Sequence, residues 1–296
     1  MDWLSRQFST RVIVLIPIAI AINIVLGATV QQALKLPVYL DSIGTILVGV
    51  LAGPIAGLIT GVLANLIWGY LLPAPIGTTT IGPFAITAGV IGLLAGIWGQ
   101  LGLFRPRRQA AGRSIAGAIV AAVLVIGLAF YTYSRAYASA TDFQNNTGFD
   151  PTVIDQSRVF FLLIMFAFVA LISWALVLRR DVGAVYAIGA GLVTGIAAAL
   201  VSAPIAAVVF GGVTGSGTDL VVAAFRAAGD SLIASTLKQG LLSDPLDKMI
   251  TSFVVFLIVG NLSTRVVARF PNGDKLVQLD EPAPELPAAS SPLPPH

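Results

Sequence analysis

The stretch LDSIGTILVGVLAGPIAGLITGVLANLIWG, residues 40–69, decides how this chain can fold. It is largely apolar, and with its flanks (38–72) it would form a single helix roughly 52 Å long, at a rise of about 1.5 Å per residue. A bilayer core is about 30 Å thick, so one crossing cannot accommodate such a helix. Gly53-Pro54 is the natural break, because proline cannot donate to the helix ladder and its ring clashes one turn back. The sequence therefore predicts a hairpin of two helices that meet at this pair.

The composition of the whole chain places it in lipid. Hydrophobic residues make up 56% of 296 residues and charged residues 10%, and the mean hydropathy is +0.91. A soluble domain carries roughly 25% charged residues. So few charges cannot cover a water-facing surface of this size, so lipid must be the main solvent. We therefore expect an all-α polytopic membrane protein and not a soluble enzyme.

Apolar runs and positive charges together predict about eight transmembrane helices. The predicted spans are 12–33, 38–52, 54–72, 84–103, 114–133, 158–178, 182–210 and 246–264. Cytoplasmic loops carry an excess of Lys and Arg. The basic clusters all fall on one side when the hairpin crosses twice: Arg6 and Arg11; Arg105, Arg107, Arg108 and Arg113; Arg179 and Arg180; Arg265, Arg269 and Lys275. Both termini are then cytoplasmic, in the inner membrane of a bacterial or archaeal cell.

The chain divides into two membrane halves and a tail. Residues 1–104 hold four spans, and residues 105–270 hold four spans with a more polar helix at 219–240. The charge rule makes that helix re-entrant or interfacial on the outer side, and a ninth span is the alternative. The Pro-rich segment 271–296 has too few large apolar residues to pack, so it is predicted to be disordered. The loop 134–157 is the largest outer loop.

An internal echo relates the two halves. GLITGVLANL at 57–66 resembles GLVTGIAAAL at 191–200, and each is followed by a Gly/Thr-rich outer segment. Transporters are often built from such repeats, with the binding site at the repeat interface. Chance similarity between Gly-rich apolar helices is the alternative.

Small residues recur every four positions along the hairpin, at Gly49, Gly53, Gly57 and Gly61. This spacing lets two helix backbones approach closely. Packing within the hairpin is the favoured interpretation, and a sliding surface against a partner subunit is the alternative.

Polar residues at membrane depth supply the candidate binding site, since such groups are costly in lipid and usually face a cavity or one another. The predicted topology places a set of them in the outer half, where two Gly/Thr loops follow the echoed helices. Arg226 and Asp230 are spaced i,i+4 and are expected to pair, whereas Lys238 points away on the same wheel. The ligand-binding candidates are Asp41, Asn65, Trp68, Thr79, Asp219, Arg226 and Asp230.

Several classes of chemistry are disfavoured. The chain has no Cys, and its single His is His296, so thiolate or imidazole metal sites and a haem ligand are not expected. It has no GxxxxGK[ST], HExxH or GxSxG motif, and the basic clusters act as topology signals, so no cofactor and no nucleic acid are expected.

The stretch 40–69, with PFAITAGVIGLLAGIWG at 83–99, resembles the substrate-binding S components of energy-coupling factor (ECF) transporters. The segments 210–232 and 241–262 are similar to those of larger members. The resemblance implies a vitamin-like micronutrient bound in the outer half of the membrane. It also implies a separate transmembrane coupling subunit and two ATPase subunits as partners.

Two other hypotheses remain. The chain could be a membrane-embedded sensor or an accessory subunit of a larger membrane complex. An intramembrane enzyme would need a convergent acid/base set, for which Asp41, Asp219 and Asp230 are the only candidates.

Overall fold

A computed structural model describes residues 7–107, 111–137 and 150–277, and these ranges are helical with no β-strand. Short π-helical turns extend three helices, at Ala28–Ala33, Ile67–Leu71 and Trp174–Leu178, and the 3₁₀ turn Gly82–Phe84 precedes a fourth. The helices in chain order are α1 Thr10–Gly27, α2 Ile43–Ala52, α3 Pro54–Leu66, α4 Ala85–Gln100, α5 Ala111–Tyr137, α6 Pro151–Ser173, α7 Gly183–Phe210, α8 Asp219–Ala227, α9 Leu232–Asn261, α10 Thr264–Val267 and α11 Gly273–Leu276.

Six helical segments within these ranges have the length and apolar character needed to cross a membrane. They are Thr10–Ala33, Pro54–Leu71, Gly82–Gln100, Gly112–Tyr137, Pro151–Leu178 and Gly183–Phe210. They overlap six of the predicted spans and confirm the all-α membrane class. The predicted span 38–52 is reduced to the ten residues of α2, about 15 Å of helix.

The predicted hairpin is present, and α2 and α3 run antiparallel on either side of Gly53. A Cβ placed on Gly57 would lie 2.8 Å from the Cα of Gly49, and one placed on Gly61 would lie 3.1 Å from Cγ2 of Thr45. Gly53 has φ +119°, a conformation that residues with a side chain rarely adopt. The glycine as well as the proline therefore makes the break.

The glycine stripe of the hairpin packs against α4. A Cβ on Gly49 would lie 2.8 Å from the carbonyl oxygen of Gly92, and Gly57 and Gly61 approach the carbonyls of Gly92 and Ala88 in the same way. The favoured interpretation, packing within the chain, is thus the one observed. Small residues on both sides let the backbones of α2, α3 and α4 come close together.

The echoed segment in α7 packs in a similar manner. A Cβ on Gly195 would lie 2.6 Å from the backbone nitrogen of Pro245, and one on Gly191 would lie 2.8 Å from the Cα of Met249. Helix α9 therefore passes the GLVTG segment of α7 much as α4 passes the GLITG segment of α3. In both halves the glycines hold an antiparallel partner helix close.

The single helix predicted at 219–240 is wrong. Helix α8 ends at Ala227, Gly229 takes φ +93°, and the hydroxyl of Ser231 accepts a hydrogen bond of 3.3 Å from the amide of Ala234. A glycine with positive φ followed by a Ser cap ends one helix and begins the next. The last long helix therefore starts at Leu232 instead of 246, and its 30 residues extend about 45 Å.

The basic clusters that the structure describes lie together at one end of the bundle, here called the arginine end. Arg11 Nη1 lies 3.5 Å from the carbonyl oxygen of Arg269, the Arg107 amide donates to Asp181 at 2.7 Å, and Arg179 donates to Asn261 at 3.3 Å. Arg6 and Arg108 lie outside the described residues. The described clusters thus share one end, as the charge pattern predicts.

The predicted tail begins too early. Asn272 donates its backbone amide to Leu51 and its side-chain amide to Val50, both at 3.0 Å, and Leu276 is buried. Residues 271–277 are therefore packed beneath the end of α2. The rest of the tail, 278–296, and the loop residues 138–149 lie outside the described residues.

Adding a side chain inside the glycine interface should destabilise the fold. We expect Gly92→Val to lower the free energy of unfolding by about 1–3 kcal/mol, because its side chain would meet the backbone of Gly57 and Leu58. The measurement is thermal unfolding of the purified protein in detergent. Gly189→Val is the matched control, since no atom lies within 4 Å of its Cβ position. Equal effects of the two changes would contradict close packing of α3 on α4.

Candidate functional site

A cavity of about 390 Å³ lies in the half of the bundle away from the arginine end. Its wall is formed by the end of α1 and the segment after it, by α3 and α4 with their connecting loop, and by α7 and α9 with the loop and α8 between them. Both halves of the chain therefore contribute. Its volume falls in the range of small-molecule sites. The charged side chains that line it are Lys35, Asp41, Asp219, Asp244 and Lys248.

Lys248 forms the floor of the cavity and is only 1% exposed. Its ammonium donates to Ser42 Oγ at 2.8 Å, forms an ion pair with Asp247, and lies 3.6 Å from Asp41 Oδ1. Ser42 and Asp247 accept hydrogen bonds from the ammonium, and Asp41 lies beyond hydrogen-bond distance but close enough to share its charge. A buried lysine is tolerated only when it is paired in this way.

Asp247 fixes the segment before α2. Its Oδ1 accepts hydrogen bonds from the backbone amides of Tyr39, at 3.1 Å, and Leu40, at 2.6 Å. Leu40 has φ +53°, which is uncommon for a residue with a side chain. Such a backbone persists only where its surroundings hold it, and Asp247 supplies that restraint. The chain can therefore turn into α2 with Asp41 and Ser42 facing Lys248.

Two carboxylates at the cavity wall are less completely satisfied. Asp244 is 4% exposed, and its Oδ2 accepts one hydrogen bond, of 3.0 Å, from Ser202. Across the described ranges, no lysine or arginine nitrogen lies within 4.0 Å of its carboxylate. Asp41 accepts a 2.9 Å bond from Gln31 and shares Lys248 with Asp247. This wall therefore offers acceptor oxygens.

Polar atoms without partners also line the cavity. Thr87 is 7% exposed, and its hydroxyl has no hydrogen-bond partner among the described residues. The Nε2 atom of Gln32 is likewise unpartnered, and Asn65, also 7% exposed, makes no side-chain hydrogen bond within the described part of the chain. Buried polar groups are nearly always satisfied, so these atoms mark a surface suited to a polar ligand.

The loop between α3 and α4 closes one side. Trp68 is 1% exposed and donates its indole N–H to the carbonyl of Ile76 at 2.8 Å. It does not line the cavity but anchors the loop that does. Thr78 and Thr80 line the cavity with their hydroxyls 2.9 Å apart, whereas Thr79 does not.

Asp219 shapes the loop on the other side. Its carboxylate accepts hydrogen bonds from the Thr214 amide, at 3.0 Å, and from the Gly215 amide, at 2.7 Å. Burial raises the pKa of Asp219, and these hydrogen bonds oppose the rise. The ammonium of Lys35 donates to the carbonyl of Gly215 at 2.6 Å. This lysine joins the loop to the segment after α1.

Arg226 and Asp230 lie outside the cavity. Arg226 donates to the backbone carbonyl of Asp230 at 2.8 Å, and the Asp230 carboxylate pairs with Lys238 at 2.7 Å. The Asp230 carboxylate therefore pairs with Lys238 and not, as predicted, with Arg226. The reason is that helix α8 ends before Gly229, so Arg226 and Asp230 do not lie one turn apart on a single helix. Arg226 lines an adjoining hollow, which shares Gly212, Asp219 and Val222 with the cavity.

Of the seven predicted binding residues, the structure brings Asp41, Asn65 and Asp219 to the cavity. Trp68, Thr79, Arg226 and Asp230 do not line it, and a ligand contact by any of the seven stays a prediction. Sequence reasoning left out Asp244 and Lys248, although the run SDPLDK at 243–248 in a transmembrane-length helix is a strong signal of function. The predicted span 246–264 begins within this run.

Removing the buried ammonium should be far more damaging than removing an exposed one. We expect Lys248→Met to destabilise the fold by about 3–5 kcal/mol, because Asp41 and Asp247 lose their cation. Lys238→Met, which breaks the more exposed pair with Asp230, should cost about 1 kcal/mol or less. Thermal unfolding in detergent measures both. Adding Asp247→Asn to Lys248→Met should recover part of the loss, and no recovery would contradict the pairing.

No family model, no curated protein and no solved structure matches this chain. The functional assignment therefore depends on the residues of the cavity, on the charge pattern and on the sequence resemblance described above.

Proposed function

We propose that this chain is the substrate-binding S component of an ECF-type uptake system and that the cavity binds a small vitamin-like micronutrient. The observation that carries the proposal is a cavity of about 390 Å³ with buried polar atoms that have no partner in the described ranges. Such atoms are costly unless a polar molecule satisfies them. Binding, and not catalysis, is the proposed activity.

The charge pattern supports an outward-facing cavity. Positively charged ends of membrane proteins face the cytoplasm, and the cavity lies away from the arginine end. The proposed topology therefore has both termini and the arginine end on the cytoplasmic side of a bacterial or archaeal cell membrane. The ligand would approach from outside.

About eight crossings follow in this topology. The six long helices supply six, α9 supplies another, and the segment 34–52 supplies the eighth. Because α2 extends only about 15 Å from Gly53, its start and Asp41 would lie near the middle of a 30 Å core. Substrate sites of transporters are commonly found at this depth.

Separate subunits would provide the energy. The chain contains no Walker motif, so ATP hydrolysis is assigned to two ATPase subunits that act through a transmembrane coupling subunit. The sequence resemblance to S components supports this division of labour. The inward step would then require those partners.

The orientation can be tested in intact cells, because the chain has no native cysteine. Val213 is 60% exposed in the α7–α8 loop, and Ser263 is exposed at the arginine end. We expect Val213→Cys to react with a membrane-impermeant maleimide from outside, and Ser263→Cys to react only after permeabilisation. The reverse pattern would contradict the proposed topology.

The energy source provides an independent test. We expect purification from the native membrane to yield the chain with a coupling subunit and ATPases, identified by mass spectrometry, and with a small organic molecule. Uptake into liposomes should require those subunits and ATP. Uptake by the chain alone, driven by an ion gradient, would make it a secondary transporter. Co-purification with a signalling kinase instead would favour a sensor.

A further inference from the structure

Acidic groups outnumber basic ones at the cavity. Asp41, Asp219 and Asp244 line it together with Lys35 and Lys248, and Asp247 lies directly behind the floor. If all are ionised, this group has two more negative than positive charges. Such a surplus in a low-dielectric region favours a ligand of opposite charge.

The two lysines are already engaged. Lys248 donates to Ser42 and Asp247 and shares its charge with Asp41 at 3.6 Å, and Lys35 donates to the carbonyl of Gly215 at the rim. The ammonium at the floor is therefore already balanced by two carboxylates, which disfavours an anionic ligand there. The carboxylates have acceptor capacity to spare.

Asp244 has the most spare capacity. Its carboxylate lines the cavity, receives one hydroxyl hydrogen bond from Ser202, and has no cation within 4.0 Å among the described residues. A carboxylate has about four acceptor positions and gains most from a charged donor. Asp244 is thus the acidic group at this wall for which a ligand could supply the missing positive charge.

A second observation is independent of the charges. Thr87 is only 7% exposed, and its hydroxyl lines the cavity without a hydrogen-bond partner in the described part of the chain. Asn65 is equally buried and adds an unpartnered amide. A hydroxyl and an amide on α4 and α3 can bind the neutral polar part of a ligand whose charged nitrogen contacts α9.

We propose that the cavity selects an organic molecule with a protonated nitrogen, such as an ammonium or amidinium group, and that Asp244 pairs with this nitrogen. The inference rests on the proposed function, since it assigns a charge class to the ligand of the same cavity. An organic cation fits better than a metal ion, because no three acidic or histidine side chains in the described ranges are arranged to hold a metal. The volume suits a molecule of one or two rings.

The first experiment identifies the charge of the natural ligand. The wild-type protein is purified from its native membrane and denatured, and the released small molecules are identified by mass spectrometry. A molecule with a basic nitrogen is expected. A neutral or anionic molecule would overturn the charge inference and leave the proposed function standing. If no small molecule is released and none of the probes described next binds, the proposed function itself is overturned.

The second experiment uses three matched probes at neutral pH: pyridylmethylamine, pyridylmethanol and pyridinecarboxylate. They have the same ring and differ in charge. Binding to the purified protein is measured by calorimetry. The amine should bind at least about 10-fold more tightly than the alcohol, because a hydrogen bond between two charged groups is stronger than one from a neutral donor. Preference for the carboxylate, or stabilisation by sodium alone, would overturn the proposal.

The third experiment tests Asp244 itself. Asp244→Asn should weaken amine binding about 10- to 100-fold, whereas Asp230→Asn, outside the cavity, should leave it unchanged. The ligand-free Asp244→Asn protein should melt at the same or a higher temperature, because it loses a buried carboxylate that has no cation within 4.0 Å among the described residues. This combination separates a binding role from a structural one. Unchanged amine binding in a folded Asp244→Asn protein would contradict the assignment.

Discussion

Lys248 carries its charge into an apolar bundle, and it can remain there only because oxygens surround it. Asp247 and Ser42 lie in direct contact with its ammonium, and Asp41 lies close by. Two of these oxygens come from the segment before α2, so the pairing ties the N-terminal half of the chain to α9. Removing one partner of a buried pair leaves the other charge unsatisfied, which makes this junction sensitive to any single change.

The glycine interfaces explain why this junction lies where it does. Each half holds an antiparallel partner helix closely through small residues: α4 against the hairpin and α9 against α7. Gly191 and Gly195 bring α7 against the backbone of α9 at Lys248 and Asp244, and the side chains of both residues line the cavity. The cavity therefore forms between the two packed halves.

The fold could be predicted from the sequence where a feature depends only on neighbouring residues. Gly53-Pro54 marks a break whatever surrounds it, and the small-residue stripe predicts close packing without naming the partner. Gly229 is also a local signal for the end of a helix, but the helical spacing of the charged residues around it favoured one continuous helix. The packed start of the tail at Asn272 could not be predicted, because its partners at Val50 and Leu51 are more than 200 residues away in the sequence.

The lining of the cavity was less predictable for a similar reason. Polar residues at membrane depth can be identified from the sequence because they are costly in lipid, and three residues identified in this way, Asp41, Asn65 and Asp219, line the cavity. The sequence alone cannot tell which face of a helix meets which neighbour. Arg226 lines an adjoining hollow, whereas Asp244 faces the cavity from the middle of α9.

The floor and the rim of the cavity are held in different ways. The floor combines ion pairs with backbone amides bound to Asp247, all buried. At the rim, Trp68 fixes one loop and Asp219 the other through hydrogen bonds to backbone groups of the same loop. The second loop also packs against the segment after α1, because Lys35 donates to Gly215 and a Cβ on Gly217 would clash with the Lys35 carbonyl oxygen. The floor therefore depends on charge, whereas the rim depends on hydrogen bonds and close backbone contact.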